Sequence, residues 1–375
     1  MTDLTHHLWA AATTPATATH HVATLVAHPP AQVATATARA LEDGVKDAWQ
    51  RGWLPYDLFQ TVTRSLTGVE VSLLVSAIAA ENETYAPATV HPRWQRQLTE
   101  TGASTWWDPS RPWIAQWADR DYLTQVETLA HAIALLAHLL RLTRLPTILP
   151  LPGTAHASAV SNVGVDHKVL ARVRALLAKA ESTPYPHEAE SLTAKAQELM
   201  NRHAFSRALL DVAPQSATSQ RLWLDNPYLS AKYQLVNVIA DANRARAVFY
   251  RDLGLVAMVG EELDLDIIEL LTTSLLVQAT RAMAAQKSRT RSFRHAFLMA
   301  YAERVGERLR SGPPSDDRLL PVLARRKAAV EELFGSMFAG ARTKSVSVSN
   351  AAGWGAGRAA ADQANLTLDR AALKT

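Results

Sequence analysis

DHKVLARVRALLAKAESTPYPHEAESLTAKAQELMNRHAFSR, residues 166–207, is the most strongly patterned stretch of the chain, and the rest is placed around it. From about Asp166 to Ala180 the apolar positions are Val169, Leu170, Val173, Leu176, Leu177 and Ala180. Steps of one, three and four put them on one stripe of a helix. Lys168, Arg172, Arg174 and Lys179 fall mostly outside that stripe. Pro184 and Pro186 break the pattern, because a proline inside a helix lacks an N–H and crowds the preceding turn. Thr183 before Pro184 suits the N-cap and first position of a second helix. Glu188 and Glu190 then lie near the positive end of its dipole. Ala189, Leu192, Ala196, Leu199, Met200 and His203 share one face of that helix. Two amphipathic helices joined by a short turn pack antiparallel, so the segment reads as a helical hairpin.

The same residues carry a resemblance. Leu176, Leu177, Ala180 and Glu181, followed by Glu188, Ala189, Glu190, Lys195, Ala196, Leu199 and Met200, resemble the signature of a bacterial and phage family known as domain of unknown function 2786. Residues 231–310 are similar to the segment that often follows it. The resemblance implies a fold element and no activity.

Length and composition bound the rest. At 375 residues there is room for two or three domains of roughly 100–200 residues each. Hydrophobic residues make up 48% of the chain, enough for sizeable cores. There is no cysteine, which excludes disulfides, thiolate catalysis and thiolate zinc sites and fits a reducing compartment. Met1-Thr2-Asp3 offers no basic signal-peptide start. No apolar run reaches the roughly 18–20 residues that span a bilayer. The longest, Ala130 to Leu140, is broken by His131 and His138. A cytoplasmic protein with no membrane partner is expected.

Residues 1–30, rich in Thr, Ala and His, read as a partly ordered arm with at most one helix. Residues 31–145 read as a Trp-rich helical domain. Gly52 suits a left-handed helix end there, and Pro55 the next start. Eight of the ten tryptophans precede residue 120, and either a stacking platform for bases or sugars or a ring-anchored helical core would use them. Residues 146–165, rich in Pro, Gly and Ser without helical period, read as a linker. Beyond the hairpin, residues 208–228 read as irregular and 229–375 as a basic α+β domain. There, Ala245–Tyr250 and Leu255–Val259 flank an Asp- and Gly-containing turn, a β-hairpin pattern. Long helices follow, the first capped by Asp264 or Asp266, then one at Arg291–Leu309 and one at Arg325–Met337. A strand at Lys344–Ser349 and a Gly-rich final helix from Gly353 close the chain. The fold class is mainly α: an all-helical N-terminal domain, a helical hairpin, then a small α+β domain with a β-hairpin packed on long helices.

Charge is uneven. Residues 281–345 hold 14 Lys or Arg against 6 Asp or Glu, whereas the whole chain is +4. A basic lobe of this kind suits phosphate contacts, or is an ordinary solvated face. The anion-binding candidates are Arg291, Arg294, Arg304, Arg308, Arg325, Arg326, Lys327 and Arg358. Arg294 and Arg308 project into the apolar sector formed by Phe293, Phe297, Leu298, Tyr301, Val305 and Leu309. A guanidinium there must pair or hold an anion. Glu261, Glu262, Asp264 and Asp266 are its plausible carboxylate partners. Gly355, Gly357 and Ala360 match a loose G-x-G-x-x-A, read either as an anion loop or as close helix packing. His187-Glu188 fails the H-E-x-x-H metal motif at Ser191, and no nucleophile elbow occurs. No metal or cofactor is expected. The leading expectation is a non-enzymatic accessory that binds nucleic acid or a nucleoprotein partner. The alternatives are a scaffold that docks a protein partner on the hairpin, or a hydrolase with an unrecognised site.

Overall fold

A computed structural model describes residues 2–155, 171–176, 178–179, 195, 199, 217–310, 320–340 and 350–364. The fold is mainly α, with one three-stranded antiparallel sheet. The chain divides into two compact units, Met1–Val160 and Ser161–Thr375.

The first unit contains α1 (Thr2–Thr13), α2 (Ala18–Val26), α3 (Pro30–Gln50), α4 (Pro55–Ser65), α5 (Gly68–Asn82), α6 (Pro92–Thr101), α7 (Trp113–Arg120) and α8 (Gln125–Arg141). Proline opens α3, α4 and α6, where its missing N–H costs no hydrogen bond. Capping boxes start α5 (Thr67 with Glu70) and α8 (Thr124 with Glu127). Gly52 has φ 87°, and a Cβ there would lie 2.2 Å from the Leu145 carbonyl oxygen. Only glycine fits that turn.

Trp53, Trp94 and Trp117 are fully buried. Buried indole N–H groups require acceptors, and four of the unit's tryptophans show one. Trp49 donates to Glu81 at 2.8 Å, Trp53 to the Thr143 carbonyl at 2.7 Å, Trp113 to Glu42 at 2.8 Å and Trp117 to Ser72 at 3.1 Å. These rings anchor a helical core. Trp106 is 40% exposed, with the Arg120 guanidinium 4.1 Å above its ring.

Two expectations for this unit need correction. Residues 1–30 are not a partly ordered arm: α1 and α2 bury Leu4, Leu8, Ala11, Ala12 and Leu25. Small side chains hid that face, since alanine contributes to a close helix contact without a strong apolar stripe. The linker expected over 146–165 is also shorter on its N-terminal side. Leu145 and Leu149 are buried, and the Gly153 and Ala155 amides both donate to the Thr89 carbonyl at 3.1 Å.

The second unit contains β1 (Thr218–Trp223), α9 (Leu229–Ala242), β2 (Arg246–Tyr250), β3 (Leu255–Gly260), α10 (Glu262–Ala284), α11 (Arg291–Arg310), α12 (Leu320–Met337) and α13 (Ala351–Gln363). Sheet order is β1-β3-β2, with Trp223 and Tyr250 both paired to Leu255. The central strand β3 is buried along its whole length. Its side chains alternate, as a strand requires. Val256 and Met258 join the main core with α9, α10, α11 and α13, while Ala257 and Val259 meet Val330 and Phe338 of α12 and the segment after it. Helices thus cover both faces of this small sheet.

Strand β1 lies where irregular chain was expected. Its residues TSQRLW are mostly polar and alternate only weakly. It gains its place by pairing with β3, and the buried Ser219 hydroxyl donates to the Met258 carbonyl at 2.9 Å. The cap of α10 is Glu261, not Asp264 or Asp266. Asp264 instead pairs with Arg244 at 2.7 Å. Of the hairpin, residues 171–176 are helical. Val173 is buried in the core of this unit, and Leu176 and Leu199 pack against it. The hairpin turn and the strand expected at Lys344–Ser349 lie outside the described residues. Among the described residues, no single helix is long and apolar enough to cross a membrane.

Candidate anion-binding cleft

Three stretches distant in sequence meet at one cleft of about 660 Å³. The first is the entry to α9: Asn226, Tyr228, Leu229 and Ser230. Tyr228 has φ 70°, a left-handed conformation rare for an aromatic residue. No side chain caps α9, so the positive end of its dipole opens here. The second is the end of β2 and the turn after it, which carry Phe249 and Arg251. Gly254 closes that turn at φ 71°, its amide bonded to the Tyr250 carbonyl at 3.0 Å. The third is the first turn of α11, where Arg291, Ser292 and His295 line the cleft. Arg291 and His295 are four apart and therefore neighbours on the helix surface.

The lining includes two guanidinium groups, an imidazole and three hydroxyls, with no carboxylate among the described residues that line it. Arg251 and Arg291 are exposed and make no ion pair among the described residues. The Ser230 hydroxyl and His295 Nε2 are 3.3 Å apart. Burial, with the Arg291 charge adding to it, holds the His295 imidazole below its ordinary pKa. Phe249 stacks on Tyr233 at 4.9 Å, with ring planes 9° apart.

Arg291 alone of the sequence candidates lines this cleft. The others are placed elsewhere. Arg304 bonds Glu307 at 2.7 Å and Asp362. Arg358 bonds Glu307 at 2.9 Å and approaches Glu303 at 3.7 Å. Held by Arg358 and Arg304, the Glu307 carboxyl is depressed to about 2. Arg326 meets Glu261 at 3.1 Å, both side chains buried. Arg308 is 8% exposed and donates to the Ala361 and Ala364 carbonyls at the end of α13. Arg294 is half-buried, and its Nε has no hydrogen-bond partner among the described residues. Arg325 and Lys327 are exposed on α12. Four of the eight candidates are therefore engaged within the unit: Arg304 and Arg358 with carboxylates of α11 and α13, Arg326 with Glu261 before α10, and Arg308 with the end of α13.

The G-x-G-x-x-A match falls inside α13, not in a loop. A Cβ at Gly353 would lie 2.4 Å from the Phe293 carbonyl oxygen, and one at Gly357 2.1 Å from that of Phe297. These glycines let α13 approach α11 backbone to backbone. His131 bonds Glu70 at 2.7 Å, whereas His138 Nε2 is buried without a partner. Among the described residues, no three His, Asp or Glu side chains converge on a metal position. Of the signature residues, Leu176 and Leu199 pack inward and Lys195 is exposed. Leu177, Glu181, Glu188, Ala189, Glu190 and Met200 lie outside the described residues.

Tyr228, Ser230, Phe249, Arg251 and His295 were not singled out from sequence. One signal for them was local: Arg-Ser-x-x-His over 291–295 puts three polar groups on one helical turn.

Residues 168–207 fit the family model described as a protein of unknown function, DUF2786. No curated protein and no solved structure matches the chain.

Proposed function

We propose that the second unit is a non-enzymatic nucleic-acid-binding module whose contact point is the cleft between α9, the β2–β3 turn and α11. One observation carries the reading: Arg251, Arg291 and His295 converge with Ser230 and Ser292 on a cleft lined by no carboxylate among the described residues. Phosphates favour exposed guanidinium groups beside an uncapped helix start. Tyr228 and Phe249 supply aromatic lining that an unstacked base can use, so the ligand is single-stranded rather than duplex. The exposed Arg325 and Lys327 of α12 are secondary candidates for backbone contacts. Arg304, Arg308, Arg326 and Arg358 are not, since their guanidinium groups are engaged within the unit.

The test is fluorescence anisotropy with a labelled single-stranded oligonucleotide across a salt series. Each phosphate contact on a single strand contributes roughly −0.7 to the slope of log K against log salt, so two contacts give about −1.4. Arg291→Glu and Arg251→Glu should each weaken binding and flatten that slope. Absence of binding at low salt, or equal binding by both variants and wild type, would overturn the reading. Docking of a partner on the hairpin has less support, because Val173, Leu176 and Leu199 are already used in packing.

A further inference from the structure

In the first unit, α1 and α2 form a hairpin closed by the turn at Thr14–Thr17, where the Thr17 amide bonds the Thr14 carbonyl at 3.0 Å. Seven residues on either side of Thr14 stand His7 and His21, each beside another histidine, His6 and His20. The hairpin therefore gathers four imidazoles. His7 Nδ1 and His21 Nδ1 are 2.8 Å apart, and their ring centroids 5.1 Å. The His6 ring lies 6.2 Å from that of His7, and the His20 ring 5.6 Å from that of His21. His6 and His20 are exposed, and His7 and His21 are half-buried.

The geometry points to a binding site for a divalent late first-row transition metal, with His7 Nδ1 and His21 Nδ1 as adjacent ligands. Two nitrogens at about 2.0 Å from one ion are about 2.8 Å apart at a right angle and about 3.3 Å apart at the tetrahedral angle. At 2.8 Å the two nitrogens are in hydrogen-bond contact, and a small turn of each ring brings both lone pairs onto one ion within that range; imidazole suits copper, nickel and zinc. Water fills the remaining positions, or an exposed His6 or His20 turns in. The two rings at present share one proton in an N–H···N contact. On binding, the donor ring moves that proton from Nδ1 to Nε2, freeing the second lone pair without net loss. An ion here ties α1 to α2, which links metal binding to the stability of the hairpin.

The experiment titrates Cu(II) alone into the full chain at neutral pH, followed by visible absorption and electron paramagnetic resonance. One equivalent should saturate, with hyperfine coupling from at least two imidazole nitrogens. Removing even an outer-sphere partner costs about 10–100-fold in metal affinity, so the His7→Ala/His21→Ala pair should lose more than about tenfold. His28→Ala should bind as wild type does, because that ring is engaged with the Thr24 carbonyl at 2.9 Å. Circular dichroism checks that the double variant folds. If it does not, the wild-type spectrum decides. A wild-type spectrum without imidazole coupling, or equal affinity in the folded double variant, overturns the proposal.

Discussion

Adding one methyl group to α13 should destabilise the second unit at Gly357 and stabilise it at Gly355, two residues away. At Gly357 the new Cβ would stand 2.1 Å from the Phe297 carbonyl oxygen and 2.8 Å from its carbon, both backbone atoms of α11. Such a carbon–oxygen contact relaxes at roughly 3.3 Å, so the helices must separate by about 1 Å. Overpacking of this kind costs roughly 1–3 kcal/mol, and the upper end applies because backbone cannot rotate away. Against it stands about 1 kcal/mol gained by replacing glycine with alanine inside a helix. Gly357→Ala should therefore lose about 2 kcal/mol. At Gly355 nothing lies within 4 Å of the new Cβ, so only the helix gain of about 1 kcal/mol remains. The variants should differ by about 3 kcal/mol, or roughly 6–12 °C in Tm for a unit of this size. Urea denaturation followed by circular dichroism measures the difference. Hydrogen exchange in peptides from α11 and α13 localises it. If Gly357→Ala is as stable as wild type, the helices do not meet at their backbones and the packing described is wrong.

Three further outcomes are expected. Arg308→Met leaves the buried Ala361 and Ala364 carbonyls unpaired, so urea midpoints should report a loss of about 2–4 kcal/mol. A loss below about 0.5 kcal/mol would contradict the capping role. The depressed Glu307 carboxyl adds stability above the ordinary value of 4.5, and that contribution disappears as pH falls toward about 2. Glu307→Gln should flatten stability across that window, and an unchanged acid limb would count against the Arg304–Glu307–Arg358 cluster. In the first unit, burial raises the Glu81 pKa although Tyr85 and Trp49 both donate to it. Ionising it costs stability as pH rises through and above the ordinary glutamate range. Glu81→Gln should therefore gain on wild type as pH rises above the ordinary glutamate value of 4.5 in paired urea melts, and a parallel pH course would refute this.

Much of the architecture was legible in local pattern. Gly52 and Pro55 marked a helix end and the next start, and Arg251–Gly254 marked the hairpin turn, because those residues act through their own backbone. The stripes along α10 and α11 were legible because each had enough large apolar residues to set a period. Strand β1 was not, since its place depends on pairing with β3 rather than on its own alternation. The arginines show the same limit. Helical period put Arg308 in an apolar sector, but its acceptors at Ala361 and Ala364 come from a helix some fifty residues later. Arg304 and Arg358 share Glu307 for the same reason. The cleft was illegible as a whole, because Tyr228, Arg251 and His295 meet only once the sheet and α11 are assembled.

The position of β3 between its neighbours sets an order of assembly. Its pairing with β2 closes only residues 251–254, whereas its pairing with β1 closes residues 224–254, a loop roughly eight times longer that includes all of α9. Loop-closure entropy makes the longer closure costlier by about 2 kcal/mol if both are flexible. The β2–β3 ribbon therefore forms early, and the opposite rim of β3 stays open until α9 has folded. Until then Val256 and Met258 sit in a strand with one unpaired edge, the geometry that invites pairing with another chain. β1 is thus the piece that seals the sheet against self-association during folding.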